Sequence, residues 1–371
     1  MLSVVHVIAR MPSSGTELQL VGTLKAALAA EGGRLWNPTL CVLYPGFPLT
    51  RSVAEAGIPV IELDGTSRLH VDRLLALRRV VRDGGFDVLH TSLWGGSAFG
   101  RVAALGPRRP PTVMSERRVE DFRSAPARLV DQLLRPFTDE WIGNSGEVGD
   151  FIARAHRAPR SQITVIRNGI DKSVFRPGPT RPRPADQVLT IGALGRLVHQ
   201  KGFDVLLRAL PTVAAQSPVR LVIAGEGELR PELQAAADGL PVSFPGALQG
   251  PRAVADFLRS LDLFVMPSRY EGLPNAVLEA LACGVPVVAT DVPGMAEAAG
   301  DAARMVPAED PDALAEAILS SLAHPPTGQA PAVDSFDEVA RAHLRVFDRA
   351  VARRAGRSSS AEVLSVLKGD A

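Results

Sequence analysis

Cysteine is nearly missing from this chain: Cys41 and Cys283 are the only two in 371 residues, and both fall in apolar segments. A framework of disulfide bridges is thereby excluded, and a reducing, cytoplasmic compartment fits best. Long apolar runs are missing too. No stretch of about 18 apolar residues occurs, so no membrane-spanning helix is expected. The opening MLSVVHVIARM has neither a basic leader nor a small-residue cleavage site, and reads as a first strand instead of a secretion signal. An excess of one charge is lacking as well, since 41 basic and 40 acidic residues leave a formal net charge of +1. That argues against a protein that holds nucleic acid in an overall positive field. Lysine is scarce among those cations, with Lys25, Lys172, Lys201 and Lys368 the only ones. A lysine in a suggestive place therefore carries more information here than usual. Clusters of His, Cys or carboxylates that would bind a metal are missing.

What is present is a globular composition, 46% hydrophobic and 22% charged, with room for one large or two ordinary domains. Short β-rich apolar runs alternate with helical patterns. In the first half strands are predicted near Ser3–Ala9, Thr39–Tyr44, Val60–Leu63, Val88–Thr91, Thr112–Ser115, Glu140–Gly143 and Thr164–Ile166. Helices are predicted between several of them, at Thr16–Ala30, Val71–Arg82 and Ala125–Arg135. The proline-rich FRPGPTRPRPADQ, residues 175–187, can continue neither a helix nor a central strand, and reads as a linker. A second alternation follows: Val188–Leu194, Arg220–Ala224, Val242–Phe244, Leu263–Met266, Pro286–Thr290 and Arg304–Val306. Alternation of this kind builds parallel sheets covered on both faces. The expected architecture is α/β, with two Rossmann-like, doubly wound domains facing across a cleft. Their bounds are 1–174 and 188–333. Residues 334–354, with Val339, Leu344, Phe347 and Val351 at helical spacing, form a terminal helix packing back toward the first domain, and 355–371 form a tail.

Open parallel sheets bind ligands at the carboxyl ends of their strands, so chemistry is to be sought in post-strand loops. The strongest motif is PSRYEGLPNAVLEALACGVPVVATDVPG, residues 267–294. A strand ends at Pro267 and a helix starts near Pro274, in a position where proline's missing N–H is harmless. The amides around Gly272, Leu273 and Asn275 are then able to face a phosphate. Glu271 and Glu279 would repel a diphosphate but suit the hydroxyls of a sugar or ribose; the alternative is a loop charge and a solvated helix carboxylate. The second motif is ALGRLVHQKGFDVLLRAL, residues 193–210, where Gly195-Arg196 end a strand and Lys201 follows on the same loop. A fixed pair of cations is what a departing nucleoside diphosphate needs as negative charge grows on it; the alternative is ordinary surface charge. Two weaker signals are MPSSGTELQL, residues 11–20, where Gly15 and Thr16 open a helix, and AGEGEL, residues 224–229, a strand-end turn. A helix cap explains Ser14 or Thr16 equally well.

Gly195-Arg196, Lys201 and the Glu271/Glu279 pair within EGLPNAVLEALACGVPVVAT resemble the retaining glycosyltransferases of family 4, which have the GT-B fold. VIRNGIDKSVFRP, residues 165–177, is similar to that family's Asn-Gly-(Val/Ile)-Asp…Phe hinge segment. The resemblance spans most of the chain and is most specific from Ile166 to Gly294. It implies that Arg196 and Lys201 bind the donor diphosphate and stabilise the leaving group, with Gly195 beside them. It implies that Glu279 holds the nucleotide ribose, and that Glu271 with the amides of Gly272 and Leu273 contacts the donor sugar. It also implies retention without a metal or other cofactor, a donor of UDP or GDP type on the second domain and a hydroxyl acceptor on the first. Many members carry His-x-His where this chain reads LHTSLWGG, so His90 matches the first position and Ser92 occupies the second. Ser92, Trp94 and Ser97 stand as replacements for the second histidine, and His90 as a packed strand-end residue. In SERRVEDFR, residues 115–123, Arg117 and Arg118 either reach the cleft, to meet an acceptor phosphate or carboxylate, or form a solvated basic run. Asn144 and Ser145 line the cleft or cap the next helix. Two other readings stand beside sugar transfer: an epimerase or phosphorylase on the same architecture, and a non-catalytic nucleotide-sugar-binding protein. The arginine-rich faces Arg73–Arg82 and Arg341–Arg354 are candidates for peripheral membrane contact.

Overall fold

The computed structural model describes residues 1–368 apart from 13, 66–69, 107–108, 120–123, 180–187 and 329–330, with side chains described through residue 356. In chain order the first half runs β1 (Ser3–Ile8), α1 (Gly15–Ala29), β2 (Asn37–Val42), α2 (Pro48–Glu55), β3 (Val60–Glu62), α3 (Val71–Asp83), β4 (Val88–Ser92), α4 (Leu93–Ala103), β5 (Thr112–Glu116), α5 (Ala125–Leu134), β6 (Glu140–Gly143), α6 (Gly146–Ala155) and β7 (Ile163–Val165), then a short β8 (Gly169–Ile170). The second half runs β9 (Leu189–Leu194), α7 (Phe203–Gln216), β10 (Val219–Ala224), α8 (Arg230–Ala236), β11 (Val242–Gly246), α9 (Gly250–Arg259), β12 (Leu263–Met266), α10 (Asn275–Ala282), β13 (Val287–Thr290), α11 (Met295–Ala299), β14 (Ala303–Val306) and α12 (Pro311–Ala323), then a short β15 (Asp334–Ser335) and α13 (Phe336–Lys368).

Two compact units result, one of residues 1–169 with 334–371 and one of residues 170–333. The first is built on a seven-stranded sheet in the order β3-β2-β1-β4-β5-β6-β7, with parallel pairing throughout. The second is built on a six-stranded sheet, β11-β10-β9-β12-β13-β14, also parallel. The Val-, Ile- and Leu-rich central strands are buried on both faces, as a helix-covered parallel sheet demands. Each sheet reverses its winding at one point, between β1 and β4 in the first unit and between β9 and β12 in the second. Ligands of doubly wound sheets bind outside the carboxyl ends of the strands at that reversal.

Several expectations are corrected. The first unit ends at Gly169 instead of 174 and the second begins at Ile170 instead of 188, because Ile170 and Phe175 are buried in the second unit's core. Residues 175–179 of the expected linker therefore belong to that unit, and the remainder, 180–187, lies outside the described residues. The terminal helix does not stop at 354: α13 runs on to Lys368, through most of the expected 355–371 tail, whose last residues, 369–371, lie outside the described residues. Its Val339, Ala340, Val346, Phe347 and Ala350 join Val4, Ala27, Trp36 and Ile142 in a core of the first unit. Several of the arginines named for those two faces are engaged within the protein. Arg73 is buried, bonded to the Leu63 and Gly65 carbonyls and stacked over Tyr44, and Arg82 pairs with Asp83. Arg349 and Arg353 bind the buried Glu140, while Arg341 donates to the Glu31 carbonyl. Cys41 and Cys283 are free thiols, one buried in each unit. Among the described residues no helix is long and apolar enough to cross a membrane.

Candidate functional site

In the second unit the strand-order reversal brings two loops together. The loop after β9 carries Gly195, Arg196 and a single 3-10 turn, His199–Lys201. The loop after β12 carries Ser268 to Leu273. Gly202 joins the turn to α7 at φ +63°, and a Cβ there would lie 2.0 Å from the Pro267 carbonyl oxygen, so only glycine lets the loops approach this closely. Gly294 does the same for the loop after β13: at φ +76°, its Cβ would lie 1.8 Å from the Gly272 oxygen. The AGEGEL turn is stitched to the same place, with the Leu197 amide donating to the Glu226 carbonyl at 2.9 Å.

Lys201 Nζ donates to Glu271 Oε1 at 2.5 Å, and Ser268 Oγ donates to the same oxygen at 2.8 Å. Both members of the ion pair are largely buried. The pair satisfies two charges that would otherwise be costly to desolvate. Arg196, five residues earlier, is exposed and has no partner among the described residues. Glu279 sits one turn into α10, half-buried, and burial pushes its carboxyl up to about 7. Gly272 and Leu273 are buried, the latter in the core of the unit. Pro274 is the N-cap, one place before the first helical turn where the sequence put it, and α10 opens at Asn275 without a side-chain cap.

Sequence reasoning missed Arg269. Its backbone amide donates to the Gln200 carbonyl at 2.8 Å and its Nη1 to the His199 carbonyl at 2.7 Å. The guanidinium also grips both carboxylate oxygens of Asp204 at 2.8 Å each, and pairs with Glu309. Those bonds hold the Asp204 carboxyl below its usual range and raise the guanidinium further. Gln200 Nε2 returns a bond to the Tyr270 carbonyl at 2.9 Å. The loop carrying Lys201 is thus tied to the loop carrying Glu271. The signal was in the sequence only as an arginine inside PSRYEG, where nothing marks its partners.

In the first unit the reversal lies between the loops after β1 and β4. Gly15 opens α1 and Thr16 is half-buried. Ser14 is the N-cap residue, yet its hydroxyl bonds to the Glu17 carboxylate instead of capping a backbone amide. Ser13 lies outside the described residues. Ser92 is buried at the end of β4, and α4 follows without a linker, Leu93 taking a left-handed φ of +62° to make the turn. Trp94 donates to Asp131 at 3.1 Å, and Ser97 is buried in α4.

Arg117 is no solvated run. It is buried and donates to Asn168 Oδ1 at 3.0 Å, and desolvation lowers its guanidinium to about 10 while the Glu17 carboxylate pulls the other way. Arg118 is exposed, and residues 120–123 of that motif lie outside the described residues. The β5–β6 register ends with Glu116 opposite Gly143, so Arg117 and Asn144 each follow directly at the same edge of the sheet. Asn144 is buried with Oδ1 unsatisfied among the described residues, whereas Ser145 caps α6 by accepting from the Val148 amide at 3.2 Å. The structure therefore brings Glu17, Arg117 and Asn168 together and adds Asn144 alongside. Gly15, Thr16 and Ser92 stand at the same sheet edge, after β1 and at the end of β4.

His90 is packed. Trp36 Nε1 donates to His6 Nε2 at 3.2 Å, which leaves the His6 proton on Nδ1, 2.8 Å from His90 Nδ1. His90 must then carry its own proton on Nε2, 2.7 Å from Ser115 Oγ. Burial lowers His6 to about 3, His343 to about 4 and His90 well below its ordinary value, so this chain of rings is neutral. Among the described residues no group of three or more His, Cys, Asp or Glu side chains is placed to hold a metal ion.

The family described as Glycosyltransferase Family 4 matches residues 14–174, and the one described as Glycosyl transferases group 1 matches residues 188–324. The chain is similar to the D-inositol 3-phosphate glycosyltransferase 1 of Catenulispora acidiphila, 30% identical over 327 residues, covering 74% of this chain and 77% of that one. It is also similar to the phosphatidyl-myo-inositol mannosyltransferase of Mycolicibacterium smegmatis, 30% identical over 256 residues, covering 66% and 64%. Among solved structures, Anabaena Alr3699/HepE in complex with UDP and glucose superposes with a TM-score of 0.74 at 18% identity, over 99% of this chain and 100% of that one. Sucrose-phosphate synthase from Thermosynechococcus elongatus superposes with a TM-score of 0.70 at 17% identity, over 99% and 100%. Both likenesses concern the fold.

Proposed function

This chain belongs to the family 4 and group 1 glycosyltransferases, and we propose that it moves a sugar, with retention, from a nucleotide-diphosphate donor on its second unit to a hydroxyl acceptor held by its first. One observation carries the reading: at the strand-order reversal of the second unit, one loop presents the free Arg196 and the engaged Lys201, with Glu271 on the facing loop. On donor binding Lys201 exchanges Glu271 for the diphosphate, and Arg196 adds a second cation. Glu271 is thereby released to accept bonds from the sugar hydroxyls, while the amides of Gly272 and Leu273 donate to the donor's oxygens. Glu279, ionised, accepts from the ribose hydroxyls.

As the bond between the sugar's anomeric carbon and the diphosphate oxygen breaks, negative charge grows on the leaving phosphate, where two fixed cations lower the barrier. The acceptor oxygen attacks from the face the diphosphate leaves, and its proton passes to the departing phosphate oxygen. No metal and no further base enters this scheme. UDP is the donor nucleotide of first choice, supported by the UDP and glucose named with the HepE structure. A phosphorylated polyol is the first acceptor to try, supported by the inositol 3-phosphate in the relatives' names. Gly15, Thr16, Ser92, Arg117 and Asn144 form the acceptor side in this reading.

The test is a donor screen by thermal stabilisation, followed by turnover of Lys201→Ala and Glu279→Ala. Loss of a charge that acts on the leaving group costs about 10²–10³ in rate, so Lys201→Ala, assayed below its melting temperature (which falls because the buried Glu271 loses its cation), is expected to fall by that factor, and Glu279→Ala to raise the donor KM. Turnover is expected to survive a chelator. Near-wild-type transfer by both variants would overturn the assignment. Conversion of the donor without an acceptor, or only with inorganic phosphate, would replace transfer with epimerase or phosphorylase chemistry.

A further inference from the structure

We infer that the first unit carries a second acceptor subsite, built on Arg10, Tyr44 and His70, which takes the carboxylate or phosphate of an acidic oligosaccharide. The inference rests on the transfer reading above and names the class of acceptor. The sheet order β3-β2-β1 sets the chain segments that leave these three strands side by side. Arg10 stands two residues past β1, Tyr44 two past β2, and His70 immediately before α3. The half-buried Tyr44 ring meets two cations: the Arg73 guanidinium lies 4.3 Å from its centroid, and that of Arg10 lies 5.2 Å away. The His70 ring, from a residue at a left-handed φ of +55°, meets Tyr44 edge-on with centroids 5.7 Å apart.

The two arginines differ in what they have left to offer. Arg73 is buried, and its guanidinium donates to the Leu63 and Gly65 carbonyls and to His70 Nδ1 at 3.0 Å. It acts as a strut. Because an arginine only donates, Nδ1 accepts, and the neutral His70 ring keeps its proton on Nε2 as a further donor. Arg10 is exposed, and among the described residues its guanidinium has neither a hydrogen-bond nor an ion-pair partner. Asp72 turns a carboxylate oxygen to the Arg73 amide at 2.8 Å, and the exposed Asp64 forms no ion pair with Arg10 or Arg73 among the described residues. Stacking on an anchored ring pre-orders the Arg10 guanidinium, whose planar fork suits an oxyanion with paired hydrogen bonds. Position then sets the length of the acceptor. Arg117 and Asn144, at the reacting end, follow β5 and β6, beyond β4 from Arg10. Two strand spacings part the ends of β1 and β5, about 10 Å, which is more than one sugar ring spans. An acceptor that touches both groups therefore has at least two units, with the reacting hydroxyl on one and the acid on the other.

The experiment is calorimetric titration of the full chain with three disaccharides on one skeleton. Cellobiose is neutral, cellobiouronic acid carries a carboxylate on its distal ring, and cellobiose 6′-phosphate carries a phosphate at the same place. At least one acidic form is expected to bind about tenfold or more tighter than cellobiose, with the advantage shrinking as salt is raised. Which of the two gains more tells a carboxylate from a phosphate. Arg10 is exposed, so Arg10→Ala spares the fold and is expected to remove the preference. Arg10→Lys keeps the charge without the fork and is expected to retain only part of it. Tyr44→Leu is expected to weaken it through loss of the stacking surface, whereas Tyr44→Phe keeps it. Arg345→Ala, at an exposed arginine of α13, serves as the control that leaves the preference whole. Equal binding of all three disaccharides, or a preference that survives Arg10→Ala, would overturn the inference. Binding is read here without donor or turnover. Acid-selective binding lost in Arg10→Ala, in a chain that transfers no sugar, would thus keep this subsite and remove the transfer reading.

Discussion

Glu279 shows how a single side chain couples burial to ligand binding. Its carboxyl is pushed up to about 7 because burial penalises the charge and no cation stands against it among its described contacts. Ribose hydroxyls donate hydrogen bonds, so they select the ionised form; donor binding is expected to strengthen as pH rises from 6 to 8. The folded chain, for its part, prefers this group neutral. The stability that preference adds is full below the ordinary glutamate value and is lost as pH rises through about 7. Glu279→Gln is therefore expected to flatten the pH dependence of donor affinity, and to melt above wild type at pH 8. Calorimetric titration of the nucleotide at both pH values checks the first; a pH-independent wild-type affinity would contradict it. At this scale the sequence was most readable in the post-strand loops of the second unit, because Gly195, Arg196, Lys201 and Glu271 lie there in one short-range pattern each. It was least readable for Arg117 and His90, whose surroundings come from Asn168, His6, Trp36 and His343, residues far along the chain that no local pattern connects.

Between elements, the decisive contact is the clasp made by Arg269. A planar guanidinium reaches both Asp204 oxygens and the His199 carbonyl at once, and a lysine ammonium has no such fork. Arg269→Lys is expected to keep the fold but let the Lys201 loop drift from the Glu271 loop. The donor KM should rise about tenfold or more, since a misplacement of about 1 Å costs about 10²-fold in a positioned site. Steady-state kinetics with the donor varied check this, and an unchanged KM would reduce the clasp to a surface ion pair. The strands and their order of appearance were legible from apolar runs and turns. The ends of elements were less so. Ser14 looks like a helix cap in sequence, but Glu17 takes its hydroxyl, and α13 outruns Arg354 because RAGRSSSAEVLSVLK, though it holds Gly356, contains no proline to stop it.

For the whole molecule, the chain leaves its first unit at Gly169 and returns to it at Asp334, so the last helix completes a core begun some 300 residues earlier. Phe347 packs edge-on against Trp36 with centroids 5.3 Å apart and also meets His6 and His90. Arg349 and Arg353 supply the cations for Glu140, whose carboxylate burial otherwise pushes toward the neutral form. Removing everything after Val333 would uncover this aromatic and histidine cluster and strand a buried acid. Deletion of one buried phenylalanine side chain alone costs about 3–5 kcal/mol, a large share of the about 5–15 kcal/mol that holds a domain folded. The truncated chain is expected to lose hydrogen-exchange protection in β1, β4 and β5 while β9, β12 and α10 remain protected. The second unit owns every residue assigned to the donor, so nucleotide affinity is expected to persist within about threefold even as transfer is abolished. Exchange measured element by element, together with calorimetry on the same sample, decides the point. Protection of the first unit left intact would mean that α13 is an appendage and not part of its core; lost nucleotide binding would mean that the donor site depends on more than the second unit.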